Sequence, residues 1–359
     1  MARNPERAGD PRRRPRVPAA TCCPPGPGLP RISYELYPPR RPDQAEAVWE
    51  TVRALATTAP QFFSITYPSS APGRAASRDL LERLLADGGV PAVAHLTVVG
   101  TSRAELAARV RAMLAAGVRD FLALRGDPEP GKQWEPHPDG LNRATDLVGL
   151  IRRVEADARA AGLLDGEVSV GCAVYPHAHG ERRYRELVTM RAKQESGADF
   201  AITQVFYDVA EFAALVREAP SAGVSLPILP GIIPLTDPGR LRRLAALSGV
   251  EPPAGLVARL DVPDPEERFA RGIAATADLV EGTLEAGAPG VHVFTFNQSR
   301  PALALHAELR RRGLVEGPPS PTEPMSEPAP SAAPTALPTS TGPTPPPPPP
   351  ATPTEGQTP

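Results

Sequence analysis

Between residues 31 and 312, short apolar runs alternate with longer stretches whose apolar positions recur every three or four residues. The first kind of spacing suits a strand and the second an amphipathic helix. The runs fall at 31–39 (RISYELYPP), 62–67, 92–99, 121–125, 168–175, 200–207, 226–233 and 291–296. Each is followed by helix signals. Asp43 with Glu46, Ser102 with Glu105, and Asp208 with Glu211 have capping-box spacing. Asn142 precedes a helix in which Leu147, Leu150, Ile151 and Val154 share one face. Asp237 stands before Pro238 as an N-cap before proline at the first helical position. Stops are expected near Gly88, Gly117 and Gly197. After the seventh run comes an inserted segment with a longer helix from Asp264-Pro265 to about Gly287, and a closing helix starts at Ser299. Eight strand–helix pairs in roughly 280 residues is the size of a (β/α)8 TIM barrel. The near-continuous apolar character of the runs fits parallel strands covered by helices. An open doubly wound sheet is disfavoured, because no run leads into a GxGxxG turn.

Composition changes the picture mainly at the ends. Of the 48 prolines, many lie in residues 1–30, rich in Arg and Pro, and in 313–359, which culminates in a run of six from Pro345 to Pro350. Neither end has the apolar surface needed to offset ordering entropy, so both are expected to be disordered tails around a 31–312 barrel domain. The formal net charge of −2 gives no reason to expect a nucleic-acid partner. No apolar run is long enough for a membrane span, and the N-terminal arginines lead into no apolar signal region. Cys22, Cys23 and Cys172 have no metal-site or disulfide spacing, which fits a reducing, cytoplasmic compartment. Association into a homo-oligomer is left open.

The chemistry sits at the ends of the runs. Glu35 lies in the first, Thr66 and Tyr67 end the second, and His95 and Thr97 lie in the third. Arg125-Gly126-Asp127 ends the fourth and Tyr175-Pro176-His177 the fifth. Gln204 and Tyr207 lie in the sixth, and Asn297 follows the last. In a barrel of this kind the C-terminal ends of the strands form the catalytic rim. A carboxylate inside a strand, such as Glu35, must be paired or functional. Asp127 reads equally as a loop cap, and His95 as a hydrogen-bonded barrel histidine. Gln204 offers two donors and an acceptor to a heterocycle edge. His177 and His179 form HxH without a recognisable third ligand, so no metal is expected.

Taken in order, Tyr34-Glu35-Leu36-Tyr37-Pro38-Pro39-Arg40, Ser64-Ile65-Thr66-Tyr67, His95-Leu96-Thr97, Ala123-Leu124-Arg125-Gly126-Asp127, Ala201-Ile202-Thr203-Gln204 through Asp208, and Pro230-Gly231-Ile232-Ile233-Pro234 resemble the bacterial-type methylenetetrahydrofolate reductases. The resemblance covers about 31–312. It implies a barrel that holds FAD without a dinucleotide fingerprint. It also implies reduction of 5,10-methylenetetrahydrofolate to 5-methyltetrahydrofolate by NADH or NADPH, with hydride passing through the flavin in a ping-pong scheme. Glu35 matches the family's general acid, and Asp127 the aspartate beside flavin and pterin. Gln204 matches a folate-binding glutamine, and Tyr207 and Asn297 are further substrate-binding candidates. Thr66, Tyr67, His95, Thr97, Arg125, Gly126, Asp127, Tyr175, Glu186 and Lys193 are the positions expected to line the cofactor.

Several departures touch cofactor and donor binding. Pro68-Ser69-Ser70-Ala71-Pro72-Gly73 stands where a glycine-rich loop is usual. His177 replaces a common Glu, Glu186 a common Asp, and Phe296 the Leu of a Thr-Leu-Asn motif. Pro238 falls roughly where some members have an aromatic that contacts the nicotinamide cofactor or folate. Two alternatives follow: a flavin-free or deazaflavin-dependent methylene-pterin reductase, and a catalytically silent barrel acting as an interaction protein.

Overall fold

The computed structural model describes residues 29–68, 70–128 and 133–316. Strands and helices alternate in the expected order: β1 (Arg31–Leu36), α1 (Ala45–Ala56), β2 (Phe63–Ile65), α2 (Ala71–Asp87), β3 (Ala92–Thr97), α3 (Arg103–Ala115), β4 (Asp120–Leu124) and α4 (Ala144–Ala160). Then come β5 (Ser169–Val174), α5 (Glu181–Glu195), β6 (Phe200–Thr203), α6 (Val209–Glu218), β7 (Ile228–Leu229), β8 (Gly231–Ile232), α7 (Pro238–Ser248), α8 (Ala254–Leu260), α9 (Pro265–Glu285), β9 (Gly290–Phe294) and α10 (Ser299–Arg311).

The local signals were met unevenly. Ser102 and Glu105 form a full capping box on α3, and Gly88 ends α2 in the left-handed region at φ 65°. Asp264 accepts from the backbone N–H groups of Glu266 and Glu267 at the start of α9. Asp43 and Glu46 do not form a box. Pro42 opens a short 3-10 turn there, and the two carboxylates are taken by Arg41, Arg53 and Arg83. Asn142 is not the cap of α4 either. Asp146 reaches back to the N–H groups of Asn142 and Arg143, which moves the helix start one residue on. On α6 Asp208 caps alone, while Glu211 faces His179.

The seventh apolar run is two strands. Pro230 has no N–H to donate, and it separates β7 from β8. All pairings between these strands are parallel, in the order β7-β6-β5-β4-β3-β2-β1-β9-β8. β7 pairs with β6 and β8 pairs with β9, so the two ends of that order are consecutive stretches of chain on either side of Pro230. The sheet thereby closes on itself as a barrel. Gly231 sits at the crossing, where its N–H donates to Thr203 Oγ1 at 2.8 Å.

Alternation decides which residues fill the barrel. Phe62, Val93, Leu122, Phe200, Ile202 and Leu229 form the interior cluster. Gly171 leaves the room that the Phe200 ring occupies, since a Cβ there would lie 2.5 Å from it. Tyr34 and Leu36, of the opposite parity to Glu35, join the outer core beneath the helices. On α4 the expected face, Leu147, Leu150, Ile151 and Val154, is buried. Each such side chain contributes about 1.5–3 kcal/mol relative to exposure.

The domain runs past residue 312. Val315 is buried, and the N–H of Glu316 donates to the carbonyl of Pro30. Of the tails expected at 1–30 and 313–359, residues 1–28 and 317–359 lie outside the described residues, whereas 29–30 and 313–316 belong to the described barrel. Among the described residues, no helix is long and apolar enough to cross a membrane.

Candidate active site

At the C-terminal ends of the strands the barrel opens into a cleft of about 450 Å3. Glu35, Thr66, Tyr67, His95, Thr97, Gly126, Asp127, Tyr175 and Gln204 line it, nine of the expected positions drawn from six strands or the loops after them.

Glu35 is held at the floor. It is 8% exposed, and burial pushes its carboxyl up to about 8. His95 Nε2 lies 3.7 Å from Glu35 Oε2, too long for a hydrogen bond. Burial pushes the His95 imidazole down to about 3, so near neutral pH the pair is a protonated acid beside a neutral ring. Neither group neutralises the other. His95 Nε2 and Thr66 Oγ1 are both buried without a protein hydrogen-bond partner. Two such atoms in the lining of one cleft suit a polar ligand, because leaving them bare costs about 1–3 kcal/mol each.

The wall formed by β4 and β5 carries the charge. Gly126 has φ +82°, and a Cβ there would meet Val99 at 2.8 Å and Thr97 at 3.0 Å, so the backbone turns tightly only with glycine. This turn presents Asp127, exposed at the rim. The N–H of Tyr175 donates to Glu186 on α5 at 3.1 Å. Burial raises the Tyr175 hydroxyl, as do the charges of Glu186 and Asp127. Lys193, also on α5, is buried and donates to the carbonyl of Ala173, a residue of the cleft wall, at 2.7 Å. Burial raises the Glu186 carboxyl and Lys193 opposes that shift. Glu186 and Lys193 therefore support the wall from behind. Arg125 is exposed, with its guanidinium 5.2 Å from the Trp134 ring.

Gln204 turns its amide oxygen to the N–H of Val205 at 2.9 Å, which leaves its NH2 group for an acceptor on a ligand. Tyr207 stands behind the lining in an apolar cluster with Leu235, Leu241 and Leu244, and its buried hydroxyl has no partner. Asn297 is also outside the lining, with its amide bonded to the backbone of Tyr37. Sequence reading missed Tyr37, His292, Phe294, Phe296 and Leu244 as lining residues. Parity was the available signal for most of them. Tyr37 is two residues beyond Glu35, and His292 and Phe294 share one face of β9, whereas Phe296 reaches the cleft from the left-handed turn that follows the strand. Deeper in the barrel, His292 is bridged by Ser33 at 2.8 Å and Ser64 at 3.2 Å. Among the described residues no group of His, Cys, Asp and Glu could hold a metal ion.

Comparison with known proteins agrees with the motifs. The methylenetetrahydrofolate reductase family model matches residues 27–310. The 5,10-methylenetetrahydrofolate reductase of Pectobacterium carotovorum is 29% identical over 279 residues, spanning 76% of this chain and 88% of the relative. That of Escherichia coli is 29% identical over 278 residues, with the same two shares. Methylenetetrahydrofolate reductase (NADH) 1 of Arabidopsis thaliana is 27% identical over 303 residues, spanning 80% of this chain and 49% of the relative. Among solved structures, an uncharacterized protein from Clostridium thermocellum that binds two copies of 5-methyl-5,6,7,8-tetrahydrofolic acid aligns with a TM-score of 0.53. It is 15% identical and covers 78% of this chain and 93% of its own, a likeness of fold. With a family model matched across the whole barrel, the chain belongs to the methylenetetrahydrofolate reductase family.

Proposed function

We propose that the protein reduces 5,10-methylenetetrahydrofolate to 5-methyltetrahydrofolate at the expense of NADH or NADPH. The observation that carries the mechanism is Glu35, a carboxyl buried on the floor of the cleft, where desolvation pushes it up to about 8 and so favours the protonated form near neutral pH. Reduction needs one hydride and one proton. Glu35 gives its proton to N10 of the folate, the N10–CH2 bond breaks, and the one-carbon unit remains on N5 as a cationic iminium. Asp127 at the rim supplies the negative charge that stabilises this cation. Gln204 offers its NH2 group to an acceptor on the pterin. His95, neutral beside Glu35, leaves the acid its proton.

The cleft fits a flavin. Thr66 and His95 bring unpartnered polar atoms to its lining, and the glycine turn at Gly126 packs against Thr97 and Val99 to shape the wall. Tyr67, Thr97, Arg125, Asp127 and Tyr175 would hold FAD with them, with Glu186 and Lys193 behind the wall. FAD held there would supply hydride carriage between NAD(P)H and the one-carbon unit, the two substrates using the site in turn.

The test is a spectrum followed by two half-reactions. The purified protein should carry flavin absorbance that NADH or NADPH bleaches and methylenetetrahydrofolate restores. Glu35→Gln keeps size and hydrogen bonding but has no acid proton. It should bind flavin and be reduced normally, with the folate step slowed by ~10²–10⁴-fold. Folate reduction by colourless protein would move the reading to a flavin-free or deazaflavin reductase. No folate turnover at all would favour the silent barrel.

A further inference from the structure

The backbone ladder between β1 and β9 ends where the chemistry begins. Its last register pair is Glu35 with Phe294. On the other flank, the N–H of Thr66 still holds the carbonyl of Leu36 at 3.1 Å. On the β9 flank, side chains take over from the backbone. Thr295 Oγ1 donates to the carbonyl of Glu35 at 2.6 Å and accepts from the N–H of Asn297 at 3.1 Å. Asn297 Oδ1 accepts from the N–H of Tyr37 and its Nδ2 donates to the Tyr37 carbonyl, each at 2.8 Å. The amide thus imitates the strand that is no longer there, satisfying both backbone groups of Tyr37.

This arrangement costs backbone strain. Phe296 and Asn297 are consecutive non-glycine residues in the left-handed region, at φ 51° and 55°. Asparagine tolerates that region, but a bulky phenylalanine there is uncommon. Strain of this kind persists where surrounding structure over-determines it, and it gathers at functional sites. Here the turn brings the Phe296 ring onto the Tyr37 ring, 5.8 Å between centroids and 29° between planes, in the lining of the cleft.

We propose that Asn297 and Thr295 are positioning residues that fix the end of β1, and so aim the Glu35 carboxyl at the atom it protonates. The inference rests on the reading of Glu35 as the acid. It gives Asn297 a different task from the direct substrate contact expected from sequence. The amide never needs to touch the folate. Its work is to keep residues 35–37 extended while ligands enter and leave past an aromatic rim.

Asn297→Gly removes the amide while glycine adopts the left-handed backbone without steric strain. Thr295→Val removes the hydroxyl without changing shape, and Thr295→Ser restores it. Stopped-flow measurement of both half-reactions should show the folate step slowed on the order of 10- to 100-fold in Asn297→Gly and in Thr295→Val, the range for a misplaced group. The NAD(P)H step should be unchanged, and Thr295→Ser should be near parental. In a Glu35→Gln background, Asn297→Gly should cost nothing further, because residues that act through one group are not additive. Equal slowing of both half-reactions, or an undiminished Asn297→Gly effect without the acid, overturns the inference while leaving Glu35 as the acid. A Glu35→Gln variant that reduces folate at the parental rate overturns the acid assignment and the inference with it.

Discussion

Taking the Glu35 side chain out of water links its protonation to the stability of the ligand-free barrel. Its carboxyl rises from the ordinary 4.5 to about 8 through burial. At pH below 4.5 the folded and unfolded chains are both protonated there, and nothing is lost. Between 4.5 and 8 the unfolded chain ionises while the folded chain keeps its proton, so stability falls as pH rises. Above 8 the loss levels off, at no more than about 5 kcal/mol. Glu35→Gln cannot ionise and should flatten this slope. Denaturant melts across the window should show the variant more stable than the parent at pH 8 and equal to it near 4.5. Parallel pH profiles would show that the carboxyl stays hydrated in the folded protein. Glu35, His95 and Gln204 were legible in the sequence because a polar residue inside an apolar run is itself a signal. Tyr37 and Phe294 were not, because an aromatic in an apolar run reads as core until its parity with Glu35 is traced, and Phe296 was not, because a left-handed turn places it.

At the scale of elements, the crossing of the seventh run is the tightest joint in the sheet. A Cβ on Gly231 would lie 2.2 Å from the carbonyl oxygen of Thr203 and 2.7 Å from the ring of Phe294. The first atom is backbone and cannot step aside. Gly231→Ala should cost at least about 2–3 kcal/mol in a urea melt. Because Phe294 lines the cleft, ligand affinity should fall too; a loss under 1 kcal/mol, about the size of an ordinary propensity change, would mean the joint is slack. Sequence signals worked where one local interaction had no rival, as in the Ser102–Glu105 box. They failed at Asp43 and Glu46, where Arg41 takes the first carboxylate and Arg53 and Arg83 the second. The break at Pro230 was hidden for a related reason. Two strands of two residues each, separated by proline, read as one run of apolar residues.

For the molecule as a whole, eight repeats of run and helix make the barrel legible in the sequence. Its outer limits were less so, because Val315 lies beyond the last clear periodicity yet is buried. Truncation to residues 28–316 should therefore leave melting temperature and turnover nearly unchanged, since the segments removed show no apolar periodicity to pack. Cutting at 312 instead should lower the melting temperature, by removing Val315 and the Glu316 contact. Equal melting for the two truncations would place the domain boundary at 312 after all.

The meeting of Pro30 with Glu316 reaches beyond stability. Arg31 also pairs with the Glu316 carboxylate at 3.3 Å, so the barrel begins and finishes at one point. That point lies at the start of β1, the end of the strand opposite Glu35 and the cleft. The barrel segment 29–316 thus nearly closes into a ring. Joining residue 316 to residue 29 through a short linker and opening new termini at Leu163, exposed in the loop before β5, should yield a circular permutant. It should fold with the same cleft and show the same ligand affinity. A permutant that folds but no longer binds would show that the order of the strands along the chain, and not only their places in the barrel, shapes the site.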